Sequence, residues 1–269
     1  MPIKLKGLST TLAVIFFGSV SIANAAPCSD NSGSYEAWKP VMAAEARAAG
    51  IGERGIAALM GTSYSKATIS ADRNQKSFKY TLEKFLSVRG ADTIVSQGRS
   101  RLKKSPDFYA SLEAQYGVPA GVLIAIHGME TGFGGFMGDT RMISAVATLA
   151  YDCRRSEFFT GHLLGALALV DRGSISADTL GAKHGEWGHT QFLPGNALTY
   201  GTDGNGDGVI DLNNLQDAMA STANYLGQKG WNRDKGFQEG EPNFAVIKEW
   251  NAATVYQQAI ALIGARIQP

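Results

Sequence analysis

Basic residues are not in surplus in this sequence. Lys and Arg number 25 against 24 Asp and Glu, so the charge balance gives no reason to expect a nucleic-acid partner. Cysteine is scarce, with Cys28 and Cys153 the only two. The four histidines, His127, His162, His184 and His189, show no metal-site spacing. No long repeat, low-complexity tract or linker interrupts the chain, and strand-like runs are few. What remains is a mainly helical single unit. Its 269 residues suffice for one large domain or two small ones, and 44% apolar content is ordinary for a globular protein.

The first 25 residues stand apart. Lys4 and Lys6 give a basic start, an apolar stretch runs from Leu12 to Ile22, and Ala23-Asn-Ala25 is a small-x-small cleavage site. The apolar run is too short for a membrane span, so the segment reads as a secretory signal peptide over residues 1–25. Cleavage there removes two Lys and leaves 23 basic against 24 acidic residues, a charge of −1. Pro27 stands before Cys28 where a lipoprotein needs a small residue, so a soluble exported protein is expected, with no transmembrane helix. Export implies an oxidising compartment, and Cys28 and Cys153 are expected to pair. Closing so long a loop is worth up to ~4–5 kcal/mol by the loop-entropy argument.

Apolar periodicity predicts helices over 35–49 (Trp38, Val41, Met42, Ala49), 53–60 and 75–90 (Phe78, Leu82, Phe85, Leu86). Asp92 is expected to cap a helix running to about Lys104, and Ser105-Pro106 to start the next. Further helices are expected over 143–151, 157–172, 217–229 and 251–267. Residues 61–73 read as irregular, and 195–214 as turn-laden.

One stretch carries chemistry. Tyr116-Gly-Val-Pro119 reads as a turn, with Pro119 as a first helical residue. Val122, Ala125, Ile126 and Met129 then recur at i, i+3, i+4 and i+7. A helix apolar on nearly all sides is normally buried. Gly132, Gly134 and Gly135 end it and leave room for close approach. Glu130 therefore stands at the wall of a core beside open chain. Partial burial raises a carboxyl pKa, and a protonated Glu near neutral pH can serve as a general acid.

Asp203-Gly-Asn-Gly-Asp-Gly follows the start of an EF-hand loop. Asp203, Asn205 and Asp207 supply oxygens at positions one, three and five. Val209 offers its carbonyl and Asp211 sits at the water-mediated position. Asn214 stands where a bidentate Glu belongs, and Asp217 can reach back if the loop is longer. A structural Ca2+ is expected, with no organic cofactor.

Three blocks together resemble the lytic murein transglycosylase B family. They are Tyr116-Gly-Val-Pro with Gly128-Met-Glu-Thr-Gly-Phe-Gly, Arg154-Arg155-Ser-Glu-Phe-Phe159, and Gly188-His-Thr-Gln191-Phe-Leu-Pro194 followed by the Asp203 loop. Trp250 to Tyr256 resembles the family's final helix. The resemblance implies a mainly α, lysozyme-like α+β fold. It places a core at 111–269, with the loop at 203–217, and a helical region at 26–110 packed on it. It implies that Glu130 is the sole catalytic acid and that Gln191, Arg154, Arg155, Tyr225 and Tyr256 contact substrate. Asp203, Asn205, Asp207, Val209 and Asp217 would hold calcium. The departures are Ala182 and Phe158, which stand where family members have a serine and a tyrosine.

The implied function is periplasmic cleavage of peptidoglycan glycan strands, by a monomer, at the β-1,4 bond from N-acetylmuramic acid to N-acetylglucosamine. One carboxylate suffices when the muramic C6 hydroxyl attacks C1 and leaves a 1,6-anhydro end, whereas ordinary glycosidases need two. Asp139, Asp152, Glu157 and Glu186 are the candidates for a second acid in a hydrolysing muramidase. A silent glycan-binding protein is the other alternative.

Overall fold

The computed structural model describes residues 26–74 and 80–268. The signal-peptide reading and Phe78 lie outside them. Thirteen α-helices occur among the described residues, with two strands of two residues each.

The core is built on α7 (Ala120–Thr131), in which every residue except Glu130 is buried. It packs against α13 (Thr254–Ile267) and α5 (Ala91–Lys104). Glycine sets the closeness of the first crossing: a Cβ on Gly121 would lie 2.3 Å from the Gly264 carbonyl oxygen. Against α7 also pack α6 (Pro106–Tyr116) and α11 (Leu215–Gln228), and α11 connects through α10 (Pro194–Tyr200) to α9 (Ser156–Arg172), which lies on α8 (Met142–Tyr151). Strand β1 (Thr140–Arg141) pairs antiparallel with β2 (Leu180–Gly181).

The N-terminal helices α1 (Tyr35–Ala48) and α2 (Glu53–Met60) join the same hydrophobic cluster, which extends from Tyr35 to Ile267. Tyr35, Trp38, Tyr64 and Tyr151 interlock with ring centroids 5.3–6.1 Å apart. Beside them the sulfurs of Cys28 and Cys153 are bonded, with Cα atoms 4.9 Å apart.

Local chemistry departs from the sequence reading in six places, one of them the helix α10, which takes up the first part of the segment read as turn-laden, with Pro194 at its start. Residues 66–73 form α3 (Lys66–Arg73), because the Ser65 hydroxyl accepts from the Thr68 N–H. Such a cap satisfies a donor that the helix itself leaves free. Gly90, at φ 67°, precedes α5, while Asp92 sits in its first turn and pairs with Arg266 at 2.7 Å. The segment before it holds α4 (Leu82–Arg89), capped by Thr81. Pro119 is the N-cap of α7 rather than its first helical residue. The tail is two helices, α12 (Phe244–Trp250) and α13, broken at residues 251–253.

Candidate active site

Glu130 occupies the last turn of α7. Gly132, Phe133 and Gly134 then run through left-handed backbone, at φ 57°, 65° and 83°. A β-carbon at Gly134 would lie 2.6 Å from the His189 ring, so glycine is what lets this turn close on its neighbour. Thr131 locks the pair: its hydroxyl donates to the His189 carbonyl at 2.8 Å and accepts from the Gly134 N–H. His127, buried on α7, lies 3.0 Å from His189 through ring nitrogens. Residues 187–192 are closed by a bridge between Trp187 and Phe192. They carry Gln191 at φ 55°, whose amide donates to the Gly188 carbonyl at 2.7 Å and the Met137 carbonyl at 3.3 Å.

The break between α12 and α13 aims two donors at one oxygen. Trp250 Nε1 donates to Glu130 Oε1 at 3.0 Å, and the Tyr256 hydroxyl donates to the same atom at 2.7 Å. Burial pushes the Glu130 pKa up to about 7; the Tyr256 and Trp250 hydrogen bonds oppose that rise, and Glu186 adds to it. Glu130 opens onto a cleft of about 440 Å³, shared with Arg89, Ala182, His184, Glu186, Gln191 and Tyr225. A larger hollow of about 850 Å³ lies against α2 and the end of α9, lined by Arg54, Val209 and Asp211. The Glu130 cleft can donate a proton to a bound oxygen.

Residues 34–240 match the family described as Transglycosylase SLT domain. The chain belongs to that family. Over 118 residues it is 39% identical to membrane-bound lytic murein transglycosylase B of Escherichia coli (strain K12), a match spanning 43% of this chain and 33% of that protein. It is 28% identical to SltB3 of Pseudomonas aeruginosa, solved with NAG-NAM-pentapeptide, with a TM-score of 0.80 over 87% of this chain and 80% of that one. It also shares the fold of the Escherichia coli lytic transglycosylase Slt35 solved with calcium, at 22% identity and a TM-score of 0.71, over 90% and 95% of the two chains. The lysozyme-like helical architecture expected from the sequence is the one observed.

In this family member not every expected site residue meets at Glu130. Gln191 and Tyr225 line the cleft and Tyr256 lies behind the acid. The Tyr225 hydroxyl donates to the Glu249 carbonyl at 2.6 Å. Arg154 and Arg155 stand outside the cleft wall, and both guanidinium groups grip Asp72 of α3. Arg155 still acts on the cleft at a distance, because its charge lowers the proton affinity of Glu186. Phe158 is exposed and rests edge-on against His162. Of the four candidate second acids, Asp139 and Glu157 are exposed and Asp152 is paired with Arg73 at 2.5 Å. Glu186 alone of these four shares the cleft.

The loop at 203–217 is rich in the hard oxygen donors that suit calcium. Asp203 accepts from the N–H groups of Gly206, Asp207 and Gly208, and Asp207 from that of Val209. Asp217 is buried and turns its carboxylate on the loop backbone, accepting from Gly204, Asn205 and Asp211. Among the described residues no three His, Cys, Asp or Glu side chains gather as a ready metal shell. The donor chemistry fits a cation at Asp203, Asn205 and Asp207, while Asp217 already has work inside the loop.

Trp250 lines the cleft without a role assigned from the sequence, and Glu186 is the one of the four candidate second acids that reaches it. Trp250 opens the block ending in Tyr256, six positions on, so a signal was present. Glu186 sits five residues before Gln191, but nothing in its spacing distinguishes it from a surface acid.

Proposed function

We propose that this chain is a lytic murein transglycosylase, acting on peptidoglycan glycan strands at the β-1,4 bond from N-acetylmuramic acid to N-acetylglucosamine. The observation that carries the reading is the state of Glu130. A half-buried carboxyl held by two neutral donors, with its pKa pushed up to about 7, still carries its proton in a large fraction of molecules at neutral pH and can give it away. The match to proteins of that activity supports it, although the curated relative is covered over only 33% of its length.

In the proposed reaction Glu130 protonates the leaving O4 as the bond to C1 breaks, and positive charge develops at C1. The muramic C6 hydroxyl attacks C1 and passes its proton back to Glu130, leaving a 1,6-anhydro end. Atoms balance without water. Gln191 and Tyr225 contact the sugar, Tyr256 and Trp250 hold the acid, and Arg154 and Arg155 extend the binding face. A calcium ion at Asp203, Asn205, Asp207 and the Val209 carbonyl, with Asp217 bracing the loop, would stiffen the floor of α11. Residues 111–269 form the catalytic core and 26–110 its helical support. Residues 1–25 direct export to the periplasm, where the protein works as a monomer. No helix among the described residues is long and apolar enough to cross a membrane.

The test is product analysis on purified sacculi. Wild type is expected to release anhydro-ended muropeptides, and Glu130→Gln to lose activity by roughly a thousandfold. Reducing ends from every cut would reject the intramolecular route. Equal release by the variant would reject Glu130 as the acid.

A further inference from the structure

Two carboxyl groups, not one, face the cleft. Glu130 hangs from the end of α7, and Glu186 comes from the segment between β2 and α10, both half-buried. Glu186 is held firmly. The Ala182 N–H donates to the Glu186 carbonyl at 2.7 Å, and the next residue, Trp187, is fully buried and bridged to Phe192. A side chain mounted on so fixed a backbone keeps a defined place in the cleft.

Burial raises the proton affinity of both groups. The two share one cleft, and the negative charge of Glu186 adds to the proton affinity of Glu130, as a like charge does. Their surroundings are unequal. Glu186 has His184 beside it and Arg155 beyond, both favouring its charged form, with Asp72 opposing. Glu130 is met by the neutral donors Tyr256 of α13 and Trp250 of α12, and by Arg89 of α4 as the weakest influence on it. The charge of Arg155 thus favours the ionised form of Glu186, although burial remains the largest influence on it, while the two groups bonded to Glu130 are neutral donors.

We infer that Glu130 and Glu186 work as a carboxyl dyad, Glu186 keeping one negative charge in the cleft while Glu130 carries the proton. This rests on the glycan-cleaving reading above. Glu186 is a positioning residue: it forms no bond to the sugar, holds the proton on its neighbour, and sets a negative field where C1 turns cationic.

The experiment compares wild type, Glu186→Gln and Glu186→Asp on purified sacculi, measuring kcat and KM from pH 4 to 9 with a melting curve for each. Glu186→Gln is expected to lower kcat about tenfold with KM little changed. Its alkaline limb should move to lower pH, because the repulsion that helped Glu130 hold its proton is gone. Glu186→Asp restores most of the rate and the wild-type limb. If Glu186→Gln melts early, Glu186→Ser, which leaves room for water, repeats the measurement. An unmoved alkaline limb in a folded neutral variant overturns the dyad, whatever its rate. Wild type that releases no muropeptides instead sinks the glycan-cleaving reading itself, so the two failures are distinguishable.

Discussion

Asp72 and Glu130 are both withdrawn from solvent, yet their proton affinities move in opposite directions. For each, burial is the largest influence and favours the neutral form. At Asp72 the hydrogen bonds and charges of Arg154 and Arg155 outweigh it, and the pKa falls below the usual carboxylate range. At Glu130 the partners are an indole N–H and a phenol, and the pKa climbs to about 7. Burial pushes both towards the neutral form; it prevails at Glu130, where the bonded partners are neutral, and yields at Asp72, where they are cationic. The first site ties α3 to the start of α9 as a permanent ion pair. The second remains poised to exchange a proton.

The sharpest way to separate the two sites is by substitution and pH. Glu130→Gln removes activity yet should stabilise the fold at pH 8, relative to wild type, by about 2–3 kcal/mol, since one pKa unit is about 1.4 kcal/mol. The sign follows from a folded pKa raised above the unfolded one: the contribution of this group is fully present below pH 4.5 and is lost as pH rises through 7. Thermal melting of both proteins across that range checks it, and a constant gap between the two curves would refute it.

Asp72→Asn should act the other way, destabilising by about 2 kcal/mol at pH 7. The arginine side chains are 46% and 40% exposed, so water takes over part of the lost partner and moderates the loss. Here the folded pKa is depressed. Its contribution is present above the unfolded pKa and disappears as acid carries the protein through the folded one. The variant and wild type should therefore converge at low pH.

Tyr256→Phe tests the neutral partner. The hydroxyl lowers the Glu130 pKa, so its loss should move the alkaline limb of activity to higher pH, opposite to Glu186→Gln. A pH–rate profile shows which way it goes. The smallest effect is expected from a chelator. Removing calcium from the loop should lower the melting temperature by a few degrees, roughly 1 kcal/mol for a domain of this size. No shift would count against the loop as a cation site.

Much of this molecule was legible beforehand where the signal is local. The ends of α1, α2 and α6 follow from Gly50, Gly61, Gly117 and Pro106, whose backbone preferences act within a turn. Position 130 was legible because an apolar helix ending in glycines can only place such a residue at a core edge. The α3 helix was missed because Ser and Thr suppress helical periodicity, and a single Ser65 side chain supplied the missing stabilisation. At the tail a helix was expected over 251–267; α13 starts only at Thr254, and the short α12 before it was not expected.

The sequence by itself determined that the chain is helical, that a glutamate closes the central helix, and that oxygen donors repeat along residues 203–207. Those properties depend on residues close together in the chain. Only the tertiary structure decided which groups surround that glutamate. Trp250 and Tyr256 reach it across 120 and 126 positions, and Glu186 comes from another segment entirely. Proton affinity is set by burial and by charges in space, and no spacing along the chain encodes either.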